Sequence, residues 1–121
     1  MSNGIINLPF SKFTRQDRTI YVSGAVGRDE STGIMSSNIG EQTQTVLQNL
    51  QRLLETAGSS LNRCLKINIY LTDMRYFSDM NQAYRKFFDA DHFPARTCIA
   101  VIGLPDPEAK VEMDVIAEVS Q

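Results

Sequence analysis

The sequence carries one histidine and two cysteines in 121 residues, too few for most sites that such side chains build. His92 lies in Asp89-Ala90-Asp91-His92-Phe93, an expected surface loop, and no second histidine exists to share a metal. Nor is there a Ser/His/Asp set around it. Cys64 and Cys98 form neither a CxxC pair nor a Cys/His cluster, so free thiols in a reducing compartment are expected rather than a disulfide or a zinc site. Basic clusters are missing as well. A net charge of -2 and a pI near 5.3 argue against a broad nucleic-acid surface, which runs on grouped Lys and Arg. No apolar run approaches membrane-spanning length, and Met1 to Phe13 has neither a signal-type apolar core nor an Arg-rich amphipathic pattern. The expected address is therefore the cytosol, with no nucleic-acid or membrane partner.

What is present reads as an ordinary globular chain, 42% hydrophobic and 21% charged, of a length that suits one domain over residues 1–121. Ile5-Ile6-Asn7-Leu8-Pro9-Phe10-Ser11 is extended, because Pro9 breaks any helix. Gln16-Asp17-Arg18 then turns into a strand, Thr19 to Ser23, closed by Gly24. Ala25 to Gly33 is turn-rich. Asn38 followed by Glu41 is a capping-box signature before the first helix. Ile39, Thr43, Val46, Leu50, Leu53, Leu54 and Ala57 form its apolar stripe, Gly58 ends it, and Gln42, Gln44, Gln48, Gln51 and Arg52 are expected on its wet face.

Cys64 to Leu71 alternates strictly, which puts Leu65, Ile67, Ile69 and Leu71 on the core side of a strand. Thr72-Asp73 leads into a second helix with Phe77, Met80, Tyr84, Phe87 and Phe88 as its core stripe. Two further strands follow, Pro94 to Ile102 and Lys110 to Val119, and the Gly103 to Ala109 turn region between them predicts a hairpin. Val111, Met113, Val115, Ala117 and Val119 take the core face of the last strand. Glu112 and Asp114 are left on the other face, together with Arg96 and Cys98 of the preceding strand. The fold class is thus α+β, a mixed sheet with two helices on one face.

The uncovered face, assigned Cys64, Asn68, Tyr70, Cys98, Ala100, Ile102 and Ile116, is too apolar for water and too polar for a core. A subunit interface resolves that conflict. If Ile102 and Lys110 flank the hairpin loop, Arg96 lies opposite Ile116, and Glu112 is roughly 13 Å further along. Neighbouring subunits, rather than one chain, would then bring the guanidinium and the carboxylate to one small ligand.

Tyr21-Val22-Ser23-Gly24, Glu41-Gln42-Thr43, Leu71-Thr72-Asp73, Asn81-Gln82-Ala83-Tyr84, Phe93-Pro94-Ala95-Arg96-Thr97-Cys98 and Val111-Glu112-Met113-Asp114-Val115-Ile116-Ala117 together resemble the Rid/YjgF-like family of reactive-intermediate deaminases. The resemblance runs from about Pro9 to the end. It implies a chorismate-mutase-like fold, a homotrimer with sites between subunits, and hydrolysis of 2-aminoacrylate-type enamino and imino acids to 2-keto acids and ammonia without metal or organic cofactor. It also implies roles. Arg96 would clamp the substrate carboxylate, Glu112 would orient or deprotonate water, Cys98 would offer mainly its backbone, and Ser23 and Asn81 would line the pocket.

Two positions depart from the pattern. The usual tyrosine after Gly-Pro is replaced by Phe10 in Leu8-Pro9-Phe10, as in some relatives that resemble aminoacrylate-handling proteins of pyrimidine breakdown, and this marks a different substrate or a missing hydroxyl function. Asp114 stands where a second glutamate is common. The alternative function is a non-catalytic trimeric module that binds small carboxylates at the same cleft, as a regulator or protein-protecting factor. Nuclease activity, also attributed to family members, finds no support in the charge pattern.

Overall fold

In the computed structural model, which describes residues 8–120, the chain order is strand β1 (Phe13–Gln16), β2 (Thr19–Val26), helix α1 (Ile39–Thr56), β3 (Cys64–Leu71), α2 (Phe77–Tyr84), β4 (Ala95–Ala100) and β5 (Val111–Glu118). The extended reading of Ile5 to Asn7 lies outside the described residues. The five strands form one sheet in the order β1-β2-β5-β3-β4. All pairs are antiparallel except β3 with β4, which are parallel because α2 carries the chain back between them.

Alternation builds the core. Val111, Met113, Val115 and Ala117 of β5 pack with Ile67, Ile69 and Leu71 of β3 and with Ile20 and Val22 of β2 beneath Val46, Leu50 and Leu54 of α1 and Met80 of α2. Asn38 accepts a hydrogen bond from the Glu41 amide at 2.9 Å and caps α1, although the Glu41 carboxylate turns to the Ser36 hydroxyl instead of closing the box. Gly58 ends that helix at φ +87, and the Ser59 amide reaches back to the Leu54 carbonyl at 2.7 Å.

Several expectations need correction. The last two strands are not a hairpin: β3 lies between β4 and β5, with Arg96 paired to Ile67 rather than Ile116. The long loop after β4 crosses the strand end, where the Val101 amide donates to the Leu71 carbonyl and the Thr72 amide to the Lys110 carbonyl. A strand already flanked on one side by β5 takes its second partner on the other. The face assignment of β4 changes with it. Arg96, Cys98 and Ala100 pair with Ile67, Ile69 and Leu71, so they point to the helix-covered side, while Glu112 and Asp114 point to the open side with Tyr70 and Asn68.

A register shift between Cys64 and Lys66 breaks the alternation at the start of β3. It turns Cys64 toward the core and leaves Leu65 half exposed, against expectation. Strand β2 continues past Gly24 to Val26 through a second irregularity spanning Ser23 and Gly24. Gln42 is buried rather than wet. Its amide nitrogen donates to the Ser36 and Glu108 carbonyls, and its amide oxygen accepts from the Lys110 amide. Helix periodicity reveals which side a glutamine occupies, but not that loop backbone arrives there to satisfy it.

Candidate active site

Arg96 stands near the start of β4, at the sheet edge beside α2. Its Nη1 donates to Asn81 Oδ1 at 2.7 Å, and its guanidinium carbon lies 4.9 Å from the Tyr84 ring centroid and 5.7 Å from that of Phe77. Among the described residues no carboxylate pairs with it. Asn81, Tyr84, Arg85, Phe93, Pro94 and Arg96 enclose a pocket of about 280 Å³. The spacing of 77, 81 and 84 sets three α2 side chains on one helix face, toward the strand that α2 delivers.

Tyr84 lies tilted against Phe88 with ring centroids 4.8 Å apart and stacks on Phe93 at 6.3 Å. Burial pushes its phenol up to about 12 against the pull of the Arg96 charge. The guanidinium approaches this hydroxyl without reaching hydrogen-bond geometry, so the oxygen is buried with no partner among the described residues. Cys98 follows two positions after Arg96 with its thiol packed on the core. Burial raises that thiol and the Arg96 charge only partly opposes the shift, so a thiolate nucleophile is disfavoured.

Glu112 belongs to the opposite face. Its carboxylate lies over Gly24 in the irregular stretch of β2. Burial first, and then the neighbouring Asp114 charge, push the Glu112 carboxyl above its ordinary value. Asp114 is itself held by Asn68 Nδ2 and the Tyr70 hydroxyl, both at 2.8 Å. Ser23 and Phe10 line a separate pocket of about 260 Å³ with Gly24, Lys12 and Asn49. The Ser23 hydroxyl donates to the Ser11 carbonyl at 2.6 Å, which ties β2 to the segment carrying Phe10.

The residues singled out from the sequence therefore fall into two groups within one chain. Arg96, Asn81 and Cys98 gather at the β4 edge. Ser23 and Phe10 share the second pocket, and Glu112 lies on the Gly24 that lines it. Strands β4 and β5 are two sheet spacings apart and Arg96 is level with Val115, so the Arg96 and Glu112 backbones are about 14 Å apart, with side chains on opposite faces. The expected separation thus holds for a different reason than the hairpin register supplied. Tyr84, read only as core stripe, also faces Arg96, while Phe77, expected in the same stripe, is partly exposed beside Arg96 rather than buried in the core. The signal was their spacing from Asn81, and it pointed to Arg96 only once the parallel strand was known.

Known proteins resemble this chain in sequence and in fold. The family model described as Endoribonuclease L-PSP matches residues 5–119. A 2-iminobutanoate/2-iminopropanoate deaminase of Homo sapiens is 33% identical over 110 residues, which cover 90% of this chain and 79% of that protein. Among solved structures, E. coli TdcF with bound serine has a TM-score of 0.86 at 27% identity, covering 97% of this chain and 92% of that one. RidA from the Antarctic bacterium Psychrobacter sp. has a TM-score of 0.87 at 29% identity, covering 95% and 92%. By the extent of the family match and by its relatives, this chain belongs to the Rid/YjgF family.

Proposed function

We propose that the protein hydrolyses 2-imino and 2-enamino acids to 2-keto acids and ammonia, in clefts between identical subunits of a homotrimer. The observation that carries this reading is the Arg96 guanidinium, which lines a pocket and has no acidic partner among the described residues. Such a fork is fitted to hold a carboxylate in two parallel hydrogen bonds. Relatives named as imine deaminases and the relative solved with bound serine, an amino acid with a carboxylate, point to the same substrate class.

Chemistry on an imine asks little of the protein. The enamine tautomerises to an imine whose carbon is already electrophilic. Water adds to that carbon, its proton passes to Glu112, and the imine π pair becomes an amine lone pair that takes up a proton. The new hydroxyl proton then passes by way of Glu112 to that amine, and ammonia leaves as the carbon–nitrogen bond breaks and the keto acid forms. Glu112 suits the exchange because its raised carboxyl takes up and releases protons nearer to neutrality. Orientation by Arg96 does the rest.

The trimeric arrangement rests on two features. Arg96 and Glu112 face opposite ways within a chain, and the open sheet face carries exposed Tyr21 and Ile99 beside half-buried Tyr70, Asn68 and Ile116. A second copy would cover this surface and place one chain's carboxylate and the other's guanidinium on either side of one ligand. The experiment feeds purified protein with imines made in situ by an amino-acid oxidase and follows imine loss. Wild type accelerates the loss and Arg96→Ala does not. If both match buffer while small carboxylates still bind wild type, the chain is a carboxylate-binding module instead.

A further inference from the structure

The reading above asks a flexible arginine to meet its ligand in one orientation. A free arginine side chain has many rotamers, and freezing them on binding costs affinity. Around Arg96 that freezing is already done. The guanidinium carbon lies 4.9 Å from the Tyr84 ring centroid and 5.7 Å from the Phe77 ring centroid, and Nη1 is tied to Asn81 at 2.7 Å. Aromatic rings attract the flat face of a guanidinium, whereas hydrogen bonds leave from its edge, so the two kinds of contact do not compete.

Asn81 adds a selective feature. A guanidinium only donates, so the amide must present its oxygen. As a neutral acceptor it fixes the fork without cancelling the charge, which an aspartate there would do. The Nε and Nη2 donors meet no partner among the described residues, and together they make the side-on edge that matches a carboxylate.

We propose that Phe77 and Tyr84 are positioning residues: their rings hold the Arg96 guanidinium while Asn81 grips Nη1, so that the Nε–Nη2 edge receives the substrate carboxylate. This deepens the deaminase reading and rests on Arg96 being the clamp. The Tyr84 hydroxyl, buried and without a hydrogen-bond partner among the described residues, is not the holding group. The ring face is what acts.

The test measures binding of 2-oxobutanoate and of its uncharged methyl ester to the full chain by calorimetry, with circular dichroism as the folding control. Arg96→Ala abolishes the preference for the acid over the ester. Phe77→Leu and Tyr84→Leu each weaken the acid by roughly 3- to 10-fold and leave the ester unchanged, a contrast that a general loss of packing would not produce. Tyr84→Phe, which restores the ring, binds the acid within about twofold of wild type, inside the scatter expected for a lost unpaired hydroxyl.

Phe77 is 38% exposed, so Phe77→Leu stays informative should Tyr84→Leu fail to fold. The inference is overturned if folded Phe77→Leu binds the acid as wild type does while Arg96→Ala does not, or if Tyr84→Phe is as weak as Tyr84→Leu. An Arg96→Ala variant that keeps the acid preference overturns the clamp itself, and with it the parent reading.

Discussion

Glu112 closes over Gly24 so tightly that a Cβ at position 24 would sit 2.2 Å from Glu112 Oε2 and 2.9 Å from its carboxyl carbon. Residue 24 is therefore glycine for the sake of a neighbouring carboxylate. No left-handed backbone is involved there.

Gly24→Ala displaces Glu112 while leaving the fold standing, because the atoms in the way are the far end of a flexible side chain. Imine hydrolysis should fall by about tenfold or more, the usual cost of misplacing a general base, with little change in melting temperature. Unimpaired turnover in a folded Gly24→Ala protein would remove Glu112 from the mechanism.

Glu112 also links stability to pH. Its carboxyl is raised by burial and then by Asp114, so the folded chain holds this proton more tightly than the unfolded chain. Stability contributed here is present at low pH and is lost as pH rises from the ordinary carboxylate range through the raised value. Glu112→Gln should accordingly withstand more urea than wild type at about pH 7, and the gap should close near about pH 3. Its activity moves the other way.

Gln42 is a buried brace between α1 and the loop before β5. Gln42→Leu leaves the Ser36 and Glu108 carbonyls and the Lys110 amide without this partner, at a cost of about 2–4 kcal/mol. Urea unfolding should register that loss. A change under about 0.5 kcal/mol would mean that water replaces the amide at no cost.

The Tyr84 hydroxyl contributes nothing to stability by this geometry. Tyr84→Phe removes a buried oxygen that has no hydrogen-bond partner among the described residues, and it keeps the ring tilted against Phe88 and stacked on Phe93. The variant should be as stable as wild type or more stable by up to about 1 kcal/mol. Destabilisation by more than that in thermal melts would reveal a partner for the oxygen.

Strict alternation in β5 and in most of β3 was readable from sequence, because a half-buried strand must repeat every second residue. The apolar stripe of α1, its Asn38 cap and its Gly58 stop were equally plain. Leu65 failed the same rule because an irregularity in the ladder slips the register, and nothing in Cys64-Leu65-Lys66 signals one. Gln42 looked wet because composition does not reveal which loop will come to meet an amide.

Local chemistry determined that this chain would build strands, helices and a guanidinium near a strand end, since alternation, caps and turn residues act within a few positions. Strand neighbours were a different matter. Gly103 to Ala109 suits a hairpin as well as it suits a crossover, and only the competition for the edges of β3 settled which strand lies where. That pairing turned Arg96 toward α2 and Glu112 away from it, because residues paired across a ladder share a face. The direction in which each charge points is a property of the assembled sheet, and it is what leaves one half of a site on either side.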